Sequence, residues 1–259
     1  MPTVAIVLAC AFIMMLVEYR QPGRHFQASR HWRRRAIAAN LVQAGSFWLT
    51  ALTWDRWLPQ WPLMAGHEWP FQMQVLVGYL LITFVYYWWH RARHQVPLLW
   101  RWLHQLHHSP VRLEILTSFY KHPLEIACNG FLSAFVLYVL LGVSPAAAAV
   151  TVLITGVAEL FYHWNVRTPY WLGFFFQRPE SHCIHHQRNH HRQNFSDLPL
   201  WDMLFGTFHN PRQPVGDCGF ADAREQQWPD MLLGRDVHTG SATPANKRTA
   251  AICPAGEQS

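Results

Sequence analysis

The feature that most constrains this chain is the segregation of its apolar residues into blocks. A bilayer core about 30 Å thick takes roughly 20 mostly apolar residues to cross as a helix. Five windows of that kind occur, at 2–19, 36–54, 71–89, 124–142 and 145–163. Bulk averages conceal them: 259 residues that are 51% hydrophobic, with a mean hydropathy of −0.03, would also describe an ordinary soluble domain. The 14 Trp, 16 Phe and 8 Tyr are many for such a domain, and the charges fall between the apolar blocks. The first window has a basic residue only at its far end and no small-residue cleavage site, the pattern of an anchor rather than a removed signal peptide. The fourth and fifth windows are joined by Gly142-Val143-Ser144-Pro145, which predicts a tight hairpin.

Orientation follows from Lys and Arg, which are retained on the cytoplasmic side. Six lie in 20–35, five in 90–123 and nine after His163, whereas the 55–70 loop holds only Arg56, so 20 of 21 share one face. Five spans then put the N-terminus outside and the long C-terminal part in the cytosol. The same topology places 16 of the 17 His on the cytosolic face, with His67 the exception. The net charge of +6 comes with no nucleic-acid motif, so no nucleic-acid partner is expected and the arginines suit anionic headgroups. Five Cys without a CxxC pair indicate neither a zinc knuckle nor a disulfide framework.

The expected fold class is therefore all-α, a multi-pass helical membrane protein with a cytosolic histidine-rich cap. Residues 1–70 are read as N-terminal transmembrane helices with a basic loop, 71–234 as the catalytic region, and 235–259 as a loose tail rich in Thr, Ala, Gly and Pro. Past His163 the chain is too polar to span again, and Trp171, Phe174, Phe175 and Phe176 suit a segment lying on the interface.

Three histidine boxes lie on that cytosolic face. His90 and His94 stand at i and i+4, on one helix face where the third window ends. His104, His107 and His108 repeat the idea at i, i+3 and i+4, and so do His182, His185 and His186. Neutral imidazole is the usual nitrogen ligand of Fe, Zn, Cu and Ni, and two ions sharing a pocket would use about this many. Exposed helix histidines explain one such box; they do not explain three on one face. HRARH lacks the glutamate that the HExxH of zinc proteases needs as general base.

Taken in order, HRARH (90–94), HQLHH (104–108), KHPLE (121–125), HWN (163–165), HCIHH (182–186) and NFSDLPLWDMLFGTF (194–208) resemble the fatty acid hydroxylase and sterol desaturase superfamily. The resemblance runs from about Tyr86 to Phe208. It implies a non-haem di-iron membrane oxygenase that hydroxylates or desaturates a lipid or sterol-like substrate with O₂. It also implies that His90, His94, His104, His107, His108, His163, His182, His185 and His186 are metal ligands and catalytic residues. Two iron ions are the expected cofactor, with zinc a possible substitute in a preparation.

Other residues are expected beside these ligands. Asn165, His190 and His191 belong there, and His122 is open between that role and a structural one, since Pro123 suits a first helical turn by itself. Asp202 could orient an imidazole or close a packed turn. Glu159 stands four residues before His163, where relatives in the superfamily can carry an imidazole, so it is expected to ligate a metal, to bond a ligand histidine or to pair with an arginine. No GxGxxG and no HPGG is present, so electrons are expected from a separate donor such as a ferredoxin or a cytochrome with its reductase. A metal-binding or transport protein is the rival; it predicts ionisable residues along the spans, which offer little beyond Glu18, Glu125 and Glu159. A haem carrier is a further rival, but the tight HxxHH boxes suit paired non-haem ions better.

Overall fold

The computed structural model describes residues 2–238, apart from 27, 215, 222 and 223. Among the described residues every regular element is helical, and the sole extended pairing is an isolated bridge between Gln187 and Cys218. All five apolar windows fall in helices. Three of these helices are long and apolar enough to cross a membrane: Phe71–Gln95, Pro123–Leu140 and Pro145–His163. The other two, Pro2–Arg20 and Trp32–Leu52, are 19 and 21 residues long. The second of them begins inside the basic segment, with Arg33, Arg34 and Arg35 in its first turn.

We label the helices that position the site α1 (Pro2–Arg20), α2 (Trp32–Leu52), α3 (Phe71–Gln95), α4 (Gln105–His108), α5 (Pro123–Ala134), α6 (Pro145–His163), α7 (Pro179–His185) and α8 (Pro199–Leu204). Proline starts α5, α6, α7 and α8, where its missing N–H costs nothing. His122 caps α5 by accepting from Leu124 N at 3.0 Å, and Ser144 caps α6 by accepting from Ala147 N at 3.3 Å. The α5–α6 hairpin turns at Gly142, whose φ of +63° and close approach to the Met64 carbonyl leave no room for a Cβ. At the other end of α3 the chain becomes extended at Val96, as the following Pro97 requires.

α3 and α6 pack along each other, with α1 against α6 and α2 against α5. Their buried contact joins Ile82 of α3 to Leu137, Ala147 and Ala148 of the hairpin. Many apolar side chains point outward, including Leu41, Leu49, Leu76 and Leu124, as helices facing lipid must. Exposed, too, are Trp171, Phe174, Phe175 and Phe176, around the 3₁₀ turn Tyr170–Phe174. The chain is a membrane protein.

Of the tail expected to be loose, residues 235–238 pack back on the second box: Gln105 donates to the Arg235 carbonyl at 2.7 Å and accepts from Val237 N at 3.2 Å. Residues 239–259 lie outside the described residues.

Candidate metal centre

The last turn of α3 carries His90 and His94, one turn apart on one face. The second box follows through a π-helical turn, Trp100–His104, which widens the helix before α4. In that box His104 and His108 share one face while His107 points aside. The third box, on α7, does the reverse: His182 and His186 act together and His185 turns away. α6 delivers His163 at its final residue.

The nine imidazoles thereby form two groups, His90, His94, His104, His108 and His185 in one, and His107, His163, His182 and His186 in the other. In each group the candidate ligand atoms lie within 4.8 Å of one another. His90 Nε2 is 2.9 Å from His104 Nε2, and His104 Nε2 is 3.1 Å from His108 Nε2. In the second group His163 Nε2 lies 3.3 Å from His107 Nε2 and 3.2 Å from His182 Nε2. A metal–nitrogen bond of about 2.1 Å separates neighbouring donors by roughly 3.0 Å at right angles and by roughly 3.4 Å at the tetrahedral angle. Three of the four observed separations fall in that interval, and the His90–His104 separation lies just below it. Lone pairs facing one another at such distances repel, and a shared cation removes the repulsion.

Two further observations fit a metal. His94, His185 and His186 each bury an Nε2 that no protein atom partners, an expensive arrangement unless something else binds there. The other ring nitrogen is often tied to an acceptor, which fixes a tautomer with a free Nε2. His90 Nδ1 donates to the Phe195 carbonyl at 2.7 Å, His163 Nδ1 to the Glu159 carbonyl at 2.8 Å and His185 Nδ1 to the Gln193 carbonyl at 2.8 Å. His182 Nδ1 lies 2.6 Å from the side-chain amide of Gln177.

Burial favours the neutral, ligating form. In the cap, His104, His107, His108, His182, His185 and His186 are at most 2% exposed. Desolvation, helped by neighbouring imidazoles, by Arg93 at His104 and by Lys121 at His107 and His186, holds His104, His107, His108, His182 and His186 well below the usual imidazole range. For His185 burial lowers the pKa to about 3.

Sequence reasoning gave Glu125 no place here. It is buried at the start of α5, forms an ion pair with Arg93, and accepts from His104 Nδ1 at 3.1 Å. This carboxylate–imidazole contact orients His104 and raises its basicity as a ligand. A glutamate inside an apolar window was the available signal, yet its partners are 32 and 21 residues away.

The remaining expected residues take varied places. Glu159 does not join the converging imidazoles; its carboxylate pairs with Lys121, and its contact with His163 is made by its backbone carbonyl. His122 caps α5 and donates from Nε2 to the Leu232 carbonyl at 3.2 Å. His190 donates from Nε2 to Gln193 Oε1 at 2.9 Å. His191 packs beside His94 and His108 with ring centroids 5.6 and 4.8 Å away, and both its ring nitrogens are buried without partners. Asn165 clasps Arg24, accepting from its N–H and donating to its carbonyl, each at 2.9 Å. Asp202 accepts from Phe195 N, Ser196 N and Thr207 Oγ1 at 2.8, 2.9 and 2.7 Å. It closes the turn that presents the Phe195 carbonyl to His90, and touches no imidazole itself.

A cavity of about 520 Å³ opens from this centre between the helices. His90, His104, His107 and His182 line its inner end, and Leu8, Phe47, Leu137 and Val152 line its apolar depth.

Residues 75–207, about half of the chain, match the family model for fatty acid hydroxylase. An ornithine lipid hydroxylase of Rhizobium tropici is 33% identical over 159 residues, covering 60% of this chain and 46% of its own. The alkylglycerol monooxygenase of Homo sapiens is 30% identical over 143 residues, 53% of this chain and 31% of the relative. A sphingolipid C4-hydroxylase of Schizosaccharomyces pombe is 28% identical over 146 residues, 54% of this chain and 49% of the relative. The chain thus spans about half or less of the length of these curated relatives, and no solved structure matches it. The chain belongs to the fatty acid hydroxylase family.

Proposed function

We propose that this protein is a membrane di-iron oxygenase that hydroxylates a lipid with O₂ and electrons from a separate carrier. The observation that carries this is the union of two imidazole groups with an apolar cavity that ends on them. Nine neutral nitrogen donors suit two iron ions, which when bound would supply the reduction of O₂ and the oxidation of an unactivated C–H bond, chemistry beyond any side chain.

The chain's own residues bind, orient and exclude water. α3, α4, α6 and α7 hold the imidazoles rigidly, while the Phe195, Glu159 and Gln193 carbonyls and the Glu125 carboxylate fix their tautomers. The apolar walls admit a hydrocarbon chain from the bilayer and keep bulk water from the reacting carbon. The relatives' names, a lipid hydroxylase and a monooxygenase among them, support a lipid substrate. The division of 20 to 1 among Lys and Arg supports a cytosolic centre and C-terminus. We take 71–234 as the catalytic region, closed by residues 224–238 folding back on the second box.

Against transport stands the pairing of the carboxylates within the helices. Glu125 is held by Arg93, Glu159 by Lys121, and Glu18 by the N–H groups of Ile115 and Asn165. Product analysis under ¹⁸O₂, with iron, a reductant and host lipids, tests the function. One labelled oxygen atom is expected in a lipid, absent with His107→Ala or His163→Ala. A correctly inserted, iron-loaded protein that oxidises no lipid while moving iron across the membrane would contradict it.

A further inference from the structure

The cavity changes character along its length. Away from the histidines its wall is mainly apolar, with Val7, Leu8, Phe47, Leu137 and Leu153, broken by Asp55 and Tyr138. Beside the histidines it meets Lys121, Glu159, Asp197 and Tyr162 instead. Lys121 Nζ pairs with the Glu159 carboxylate, and the Tyr162 hydroxyl hydrogen-bonds with the Asp197 carboxyl. Burial pushes Asp197 up to about 7, so near neutrality this end carries two cations, Lys121 and Arg93, each already matched by an anion, Glu159 or Glu125, and a carboxyl group that is partly protonated.

Building on the oxygenase reading, we propose that the Lys121–Glu159 pair receives the polar group of the substrate, an uncharged hydroxyl or amide, while its hydrocarbon chain runs back into the apolar depth. The carbon presented to the imidazole groups then lies within a few bonds of that polar group. The opposite orientation would press a methyl terminus against a buried ion pair and strip the charges of polar contact. A carboxylate would find Lys121 already neutralised and would face the oxygens of Glu159 and Asp197. A hydroxyl or amide both donates and accepts, so it can bond the ammonium and the carboxylate together.

The test uses the full chain in nanodiscs, loaded with cobalt(II), and needs no turnover, so its failure is separate from a failure of oxygenase activity. Carbon-13 palmitamide is added, and paramagnetic relaxation is read along its chain. The carbons nearest the amide should relax fastest, with the effect falling toward the methyl end. By calorimetry, which does not depend on the metal, palmitamide and hexadecanol should bind more tightly than palmitate or hexadecane. Lys121→Met should weaken palmitamide about tenfold, the loss of one charged hydrogen bond, at unchanged cobalt content. Fastest relaxation at the methyl end, or equal binding of hexadecane and palmitamide, or no binding of any of the four, would overturn the proposal.

Discussion

The group around His104 draws five imidazoles and the group around His163 draws four, although one device assembles both. The second box gives His104 and His108 to the first group and His107 to the second; the third box gives His182 and His186 to the second and His185 to the first. Each group also takes from the C-terminal end of a long helix. There the symmetry fails: α3 supplies His90 and His94, whereas α6 supplies His163 with Glu159 one turn before it. Lys121 recruits that carboxylate, and its side chain lines the cavity. The second group is therefore the one with fewer protein donors, and Glu159, which stands where α3 has a second imidazole, lines the cavity. A full set of ligands holds an ion; an incomplete one leaves room for what reacts.

Removing one donor from each group should show the inequality most sharply. His163→Ala leaves three imidazoles in the poorer group and is expected to release its ion and abolish turnover. His94→Ala leaves four in the richer group and is expected to keep metal while slowing turnover. Metal analysis beside product formation reads both; equal loss from the two variants would break the comparison. A smaller effect is expected from Glu125→Gln, which keeps shape but weakens the bond to His104. Activity should fall roughly 10–100-fold, the usual cost of losing an outer partner of a metal ligand, with the second group's ion retained. A parent-like rate would remove Glu125 from the site.

The mildest test is acid. The cap histidines have folded-state pKa values below the unfolded one, so below about 6.5 the unfolded metal-free chain binds the extra protons. Their contribution is neutral above that pH and becomes increasingly destabilising as pH falls toward the value of about 3 for His185. Thermal midpoints of the metal-free protein should decline over this window, and bound metal should delay the decline. Midpoints rising with acid would contradict neutral imidazoles.

Much of the site was legible because helical spacing is local. Histidines at i, i+3 and i+4 announce a shared face, and charge placed between apolar blocks announces the spans. Which imidazole joins which group was not, because it depends on the π-helical turn Trp100–His104 and on the packing of α7 against α6. Glu125 escaped because its meaning lies in Arg93 and His104, contacts made by the packing of α3, α4 and α5. Glu159 was noticed for its spacing from His163, yet Lys121, 38 residues away, sets the direction of its carboxylate. Asp202 works through backbone N–H groups, a role that no spacing rule reveals.

One ion in each imidazole group would give two ions in unequal nitrogen environments. Mössbauer spectroscopy of the purified chain loaded with ⁵⁷Fe, together with iron quantification, tests it directly. About two irons per chain are expected, one for each imidazole group, as two distinguishable high-spin ferrous sites. A well-folded, iron-supplemented protein that binds one iron or none would contradict it.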